Sequence, residues 1–159
     1  MDFSTSTAVC YTGHRLIPER DRELLWTATL GHTQALYARG YRTFIAGGAV
    51  GFDMLAAQVV CELKLTCPDM KLVLALPFRG HDSKFSVGDK HQLAELIELA
   101  DDVVTLHEHY SAGVYAARNR WMVEHASVCV CYLLKGGRSG TAMTVDMARN
   151  RGLQIVNVA

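Results

Sequence analysis

The stretch SVCVCYLLKGGRSGTAMTVDMA, residues 127–148, decides how the rest of this chain is interpreted. It begins with an apolar run typical of a buried strand, turns through a glycine-rich segment at 135–141, and enters a helical segment at 142–148. Unpaired backbone N–H groups and the positive end of a helix dipole meet at such a turn, which favours a bound anion such as phosphate. The residues predicted to hold that anion are Gly136, Gly137, Ser139, Gly140 and Thr141.

Length and composition favour a single domain that spans residues 1–159. Half of the 159 residues are hydrophobic, enough to bury a substantial core. The 16 basic and 16 acidic residues cancel and no Lys/Arg block stands out, which argues against a general nucleic-acid binder. The apolar runs are far shorter than the roughly 20 residues of a membrane span, and the N-terminal residues lack a signal-peptide pattern. We therefore expect a cytoplasmic protein with no membrane association.

Cysteine and histidine spacing predicts no metal site. The five cysteines match neither a zinc pattern nor the disulfide framework of a small secreted protein, so buried thiols are expected. His107 and His109 have the spacing of two ligands, but no third ligand is evident. No cofactor follows from these residues.

Strand-like and helix-like segments alternate along the chain. The predicted strands lie near residues 7–11, 43–46, 71–76, 102–106, 128–134 and 153–158. Helical periodicity fills the segments between them, which predicts an α/β fold with a mostly parallel sheet of about six strands and helices on both faces. Ligands of such sheets bind beyond the C-terminal strand ends, where the strand order reverses.

Four turns follow predicted strands, and we expect them to line one cleft. They occupy residues 12–15, 47–53, 107–113 and 135–141. A long irregular connection at 78–90 follows the third strand, and loops of that length in a small domain are usually functional or mobile.

Polar side chains near these turns are candidates for ligand contact. Arg118 is a fork-shaped permanent cation suited to phosphate or carboxylate, unless it is a solvated helix charge. Arg15 and His14 follow a strand end and either face the cleft or cap the neighbouring loop. Asp53 either caps its helix or binds ribose hydroxyl groups, and Asn119 orients a ligand or a loop.

Four glycines near these turns are also candidates: Gly13, Gly47, Gly48 and Gly51. They either allow a ligand to approach the backbone closely or serve only the geometry of the turns.

Four motifs occur in order: TGHR at 12–15, GGAVGFD at 47–53, RNRWM at 118–122 and SGTAMTV at 139–145. This series covers almost the whole chain and resembles the YpsA-like branch of the SLOG superfamily, which includes the DNA-processing protein DprA and the LOG phosphoribohydrolases. The resemblance implies a Rossmann-like sheet that binds a nucleotide or a nucleotide-derived ligand, such as an ADP-ribose-type molecule. It does not settle an activity.

The resemblance to LOG enzymes raises catalysis as an alternative. Those enzymes hydrolyse the N-glycosidic bond of a nucleoside monophosphate with an arginine, which Arg118 matches, and a glutamate just after the glycine turn. That glutamate falls near Met143 or Thr144 here, and neither side chain stabilises an oxocarbenium-like state or activates water. We therefore predict binding or sensing of a phosphate-bearing nucleotide ligand. A nucleotide N-glycosidase that uses Asp146 or Asp53 is the alternative.

Two further expectations concern partners and selectivity. DprA-like binding of single-stranded DNA is a second alternative, but the neutral charge argues against a nucleic-acid partner. Members of the family often self-associate, and exposed apolar helix faces would permit a homo-oligomer such as a dimer, although nothing in the sequence locates its interface. His81 and Phe85 stand where Gln and Trp are more usual in this branch, which leaves base selectivity open.

Overall fold

The computed structural model describes residues 2–159, in which six strands alternate with five helices. The elements are β1 (Ala8–Gly13), α1 (Arg22–Ala38), β2 (Thr43–Ala46), α2 (Phe52–Lys64), β3 (Lys71–Leu76), α3 (Val87–Leu99), β4 (Asp102–Thr105), α4 (Val114–Glu124), β5 (Val128–Tyr132), α5 (Gly140–Asn150) and β6 (Gln154–Asn157). Short 3-10 turns at Thr5–Thr7 and Glu19–Asp21 precede β1 and α1.

All neighbouring strands are parallel, in the order β4-β3-β2-β1-β5-β6. The sheet therefore grows from β1 in one direction through β4, and the chain then returns to place β5 on the other side of β1. The order reverses between β1 and β5, where Gly13 pairs in register with Tyr132. The predicted α/β fold with a Rossmann-like parallel sheet is confirmed, and its switch point lies between these two strands.

Two core layers cover the two faces of the sheet, because alternate residues of each buried strand point to opposite sides. One layer contains Val9 and Phe44 and is covered by α1, α2 and α3. The other contains Cys10 and Ile45 and is covered by α4 and α5. Every residue of β5 is buried, which agrees with the continuous apolar run seen in its sequence.

The strand β5 is two residues shorter than the sequence predicts. Leu133 and Leu134 leave the sheet after Tyr132, and the Leu133 N–H donates to the side-chain oxygen of Asn157 at 3.2 Å. The early exit lengthens the turn that leads to α5. In residues 2–159, no helix is both long and apolar enough to pass through a membrane.

Candidate functional site

A cleft of about 290 Å³ opens at the C-terminal ends of β1 and β5, and we call it the switch-point cleft. It receives residues from the turn after β1, the turn before α2, the first half of α4 and the start of α5. Its lining residues are Thr12, Gly13, His14, Arg15, Ala49, Asp53, Tyr115, Arg118, Asn119, Ser139, Gly140 and Thr141. Three of the four predicted turns thus meet here, together with α4.

The N-terminus of α5 forms one wall of the cleft. Ser139 caps the helix, because its Oγ accepts a hydrogen bond from the Ala142 N–H at 3.0 Å. Thr144 donates its hydroxyl to the Gly140 carbonyl at 2.9 Å, inside the helix. Within residues 2–159, the backbone N–H groups of Gly140 and Thr141 have no hydrogen-bond acceptor. Two amide donors at the positive end of the helix dipole are therefore available to an anion.

Arg118 lies at the floor of the cleft and is 4% exposed. Its Nη1 donates to the carbonyl oxygens of Gly47 and Ala75, and its Nε donates to the Asn119 Oδ1 at 2.7 Å. Burial lowers the pKa of the guanidinium and the Asp53 carboxyl opposes that shift, yet an arginine remains a cation at neutral pH. Arg118 therefore joins the ends of two strands and keeps its Nη2 free of hydrogen bonds to residues 2–159.

Asp53 brings a buried carboxyl group into the same cleft. The residue is 7% exposed, and its Oδ2 accepts from the Ala49 N–H at 3.3 Å across the turn before α2. Burial raises the pKa of this carboxyl, and the positive charge of Arg118 and the Ala49 N–H partly oppose the rise. The contact with Ala49 ties Asp53 to the turn before α2, but it is not a helix cap, since no side chain of residues 2–159 caps the N-terminus of α2. A ribose contact stays a prediction.

His14 and Arg15 take different positions after β1. His14 accepts the Leu134 N–H at its Nε2 at 3.0 Å, which places its ring proton on Nδ1, and its ring meets the Tyr132 ring edge-on. Arg15 is exposed and makes no side-chain hydrogen bond or ion pair within residues 2–159. Its guanidinium carbon lies 5.6 Å from the centre of the Tyr115 ring. His14 thus ties two loops together, whereas Arg15 is an uncommitted cation at the mouth of the cleft.

The predicted glycines divide into packing positions and turn positions. A Cβ on Gly13 would lie 2.5 Å from the Phe52 ring, and one on Gly47 would lie 2.6 Å from the Asp53 Oδ2. Gly51 has a φ of +85°, and a Cβ there would overlap the backbone of Arg15.

Among these positions Gly13 lines the cleft, while Gly47, Gly48 and Gly51 pack behind its walls. Gly136 and Gly137 lie in the exposed turn before α5 and outside the cleft. These glycines therefore serve three purposes: one lines the cleft, three allow close packing behind it, and two allow the chain to turn before α5.

Of the two carboxylates considered for catalysis, Asp53 lines the cleft and Asp146 lies outside it. Met143 is 62% exposed, and the Thr144 hydroxyl is used within α5. Asp146 has a side chain that is 71% exposed, pairs with Arg149 at 3.4 Å and does not line the cleft. Of the described residues that line the cleft, Asp53 alone carries a carboxyl group.

A second and larger cavity adjoins the cleft; the sequence indicated a functional or mobile loop at 78–90, but not the cavity that this loop helps to line. It measures about 840 Å³, and Arg15 and Tyr115 line both spaces. Phe78, Tyr110 and Tyr115 pack against one another in its wall, so we call it the aromatic cavity. The predicted turn at 107–113 contributes Tyr110 here instead of lining the switch-point cleft. Aromatic residues in the loops after two successive strands were the signal that could have found it.

Metal-ligating side chains do not converge in the part of the chain that the structure describes. Residues 2–159 contain no group of three or more His, Cys, Asp or Glu side chains placed to hold an ion. His107 and His109 are exposed on the loop after β4. The groups in the cleft that could contact a ligand thus include backbone amides, two arginines and one carboxyl group.

The chain belongs to the YspA SLOG family, whose model, YpsA, matches residues 22–153. The SPbeta prophage-derived protein YoqJ of Bacillus subtilis is 28% identical over 118 residues, which are 67% of this chain and 68% of YoqJ. A UPF0398 protein of Staphylococcus epidermidis is 27% identical over 97 residues, which are 60% of this chain and 52% of that protein. The chain thus matches about two thirds of one relative and about half of the other.

Two solved structures share the fold. DNA processing protein A of Helicobacter pylori, described for its single-stranded DNA binding mode, superposes with a TM-score of 0.66 at 17% identity, over 95% of this chain and 64% of that chain. The protein TM1055 superposes with a TM-score of 0.59 at 19% identity, over 94% of this chain and 72% of that chain. At these identities, the likeness establishes the Rossmann-like fold.

Proposed function

We propose that this protein binds a nucleotide or a nucleotide-derived ligand through a phosphate group in the switch-point cleft. The observation that carries the proposal is the start of α5, where Gly140 and Thr141 line the cleft and their N–H groups have no acceptor in the described part of the chain. Membership of a SLOG family supports a nucleotide-related ligand.

Hydroxyl groups add donors to this wall. The Ser139 Oγ accepts from a backbone N–H, which leaves its own proton available for a ligand. Thr141 is 7% exposed, and its hydroxyl makes no hydrogen bond within residues 2–159. A phosphate at this helix end would meet two amides and two hydroxyls, which suits an acceptor with several oxygens.

Charge in the cleft also favours an anion. Arg15 and Arg118 contribute two cations, while Asp53 contributes the sole carboxyl group among the described lining residues. Arg15 is exposed, packs against the Tyr115 ring and has no side-chain hydrogen bond or ion pair within residues 2–159, so its N–H groups are available to a ligand. A charge-assisted contact from an uncommitted guanidinium is among the stronger polar contacts available to a phosphate.

The test is isothermal titration and thermal shift with orthophosphate, nucleoside monophosphates, ADP-ribose and a single-stranded oligonucleotide. We expect a nucleotide to raise the melting temperature, and Arg15→Gln to weaken its affinity on the order of 10-fold. Arg120→Gln is the matched control, because Arg120 is an exposed arginine of α4 that does not line the cleft. Absence of binding to every phosphate-bearing ligand would contradict the proposal, as would salt-dependent binding of the oligonucleotide alone.

A second candidate is hydrolysis of a nucleotide N-glycosidic bond, and the position of Asp53 favours it. A carboxyl group with a raised pKa beside an arginine is the kind of side chain that acts as an acid or a base. Release of free base from a nucleoside monophosphate, followed by chromatography, would reveal the activity. Asp53→Asn should abolish it, and Asp146→Asn should preserve it because Asp146 lies outside the cleft. No base release by the wild-type protein would exclude this candidate.

A further inference from the structure

We propose that the aromatic cavity binds the base of the same ligand, so that one nucleotide occupies both spaces with Arg15 between its phosphate and its base. This inference rests on the proposed function, since it assumes a phosphate in the switch-point cleft. It adds to the proposed function the place in the protein where the base of the nucleotide would bind.

The first support is that the two spaces share a wall. Arg15 and Tyr115 line both the switch-point cleft and the aromatic cavity. The guanidinium carbon of Arg15 lies 5.6 Å from the centre of the Tyr115 ring, so the pair stands at the junction. A ligand whose phosphate lies at the start of α5 therefore has the aromatic cavity next to it, beyond Arg15 and Tyr115.

The second support is the sizes of the two spaces. Pockets for small molecules measure about 300–1,000 Å³. At about 290 Å³ the switch-point cleft lies at the lower limit, while the aromatic cavity measures about 840 Å³. A phosphate and a sugar suit the smaller, polar space, and the larger space has room for a purine or a pyrimidine.

The third support is the chemistry of the cavity wall. Phe78 is the centre of an edge-to-face cluster, with ring centres 5.6 Å from Tyr110 and 6.0 Å from Tyr115. Tyr110 nevertheless remains 65% exposed, and Tyr115 remains 37% exposed. Exposed aromatic surface beside an anion site is what a nucleobase covers when it stacks, because every base offers a flat face to such rings.

The fourth support is that the loops of the cavity are held together. The Arg79 N–H donates to the His107 carbonyl at 3.0 Å, and the Arg79 guanidinium contacts Glu108, with Nε 3.0 Å from Oε2. His81 donates its Nε2–H to the Gly48 carbonyl at 3.0 Å, which joins the cavity to the turn before α2. These contacts fix the loop after β3 relative to the loop after β4, so the aromatic cluster is formed before a ligand arrives.

The experiment compares ribose 5-phosphate with adenosine and guanosine 5′-monophosphate by isothermal titration. We expect the wild-type protein to bind at least one nucleotide on the order of 10-fold more tightly than ribose 5-phosphate. Tyr110→Ala should remove most of that difference without changing the affinity for ribose 5-phosphate. Tyr110→Phe is the matched control, because it keeps the ring and should keep the difference. Since Tyr110 is mostly exposed, both variants should retain the wild-type melting temperature.

The outcomes separate this inference from the proposed function. If ribose 5-phosphate and the nucleotides bind equally and Tyr110→Ala changes neither, the phosphate site stands and the base site is overturned. If Tyr110→Ala weakens all three probes equally, the ring acts on the phosphate cleft and the base site is again overturned. If no probe binds, both proposals fail.

Discussion

At the scale of the residue, Gly51 shows how closely the walls of the cleft are packed. Its φ of +85° suits glycine, and a Cβ would overlap the Arg15 backbone. We expect Gly51→Ala to lower the free energy of unfolding by at least about 2 kcal/mol, since a non-glycine residue at positive φ costs roughly 1–2 kcal/mol before the overlap is added. Urea denaturation measures the change.

The control for Gly51 is Gly31→Ala. Gly31 is exposed in the middle of α1, and a Cβ there would meet no atom within 4 Å. Alanine should therefore stabilise the protein by about 0.5–1 kcal/mol. Equal stabilities for the two variants would show that the turn before α2 differs from the one described.

His81 gives the protein a pH dependence of definite sign. Burial lowers the pKa of His81 below its ordinary value of 6.5, and the positive charges of Arg118 and Arg15 add to this effect. A base with a depressed pKa in the folded state binds fewer protons there than in the unfolded state, so stability is lost as the pH falls through 6.5.

We expect the free energy of unfolding to decrease between pH 7.5 and pH 5.5, and His81→Gln to flatten that decrease. Glutamine is a suitable variant because its amide can still donate to the Gly48 carbonyl. Denaturation at a series of pH values measures the slope. The same slope in the wild type and in the variant would assign the pH dependence to another group.

At the scale of the element, two helices begin with a serine cap and allow a matched comparison. The Ser139 Oγ accepts from the Ala142 N–H at the start of α5, and the Ser86 Oγ accepts from the Asp89 N–H at the start of α3. Either serine changed to alanine should cost about 1 kcal/mol of stability. Ser139→Ala should also weaken orthophosphate binding several-fold, whereas Ser86→Ala should not. Equal phosphate affinities in the two variants would exclude the Ser139 hydroxyl as a phosphate contact.

The positions of the strands along the chain could be predicted from the sequence, but which strands are adjacent in the sheet could not. Apolar runs and glycine turns placed all six strands, because a buried parallel strand needs a continuous apolar segment. The position of β5 beside β1 depends on contacts across more than 100 residues, and a linear pattern does not encode them. The residue types at the strand ends were informative because all those ends lie at one edge of a parallel sheet.

Many residues of the candidate site could also be predicted from the sequence, but their tertiary contacts could not. Nine of the fourteen proposed site residues line the cleft, including Arg15, Asp53 and Thr141. The sequence could not show that Arg118 is buried against two carbonyl groups or that Gly47 packs behind the wall, since both depend on tertiary contacts. It also did not single out Tyr110 and Tyr115, which meet Phe78 of the loop after β3 only in the folded chain.

At the scale of the whole molecule, the five cysteines report on global unfolding. All are free thiols; Cys10, Cys129 and Cys131 are buried in the sheet, and burial raises the pKa of Cys131 to about 12. In the native protein we expect at most Cys61 and Cys67, which are half-buried, to react with a disulfide reagent at pH 8. The remaining three should react only on unfolding.

Absorbance during the reaction counts the modified thiols. A variant with both Cys61→Ser and Cys67→Ser is the control, and it should show no fast phase until denaturant is added. Fast modification of more than two thiols in the native protein would mean that the centre of the sheet opens readily.

The position of β5 beside β1 also determines when the site can exist during folding. The Leu134 N–H donates to the His14 ring across 120 residues of chain. The strands β1 to β4, in contrast, pair with one another, and none of these pairings requires β5. Closing so long a loop is a slow step compared with local pairing. A nascent or refolding chain can therefore assemble four strands while one wall of the cleft is still missing. Ligand affinity should consequently appear later in a refolding time course than most of the secondary structure.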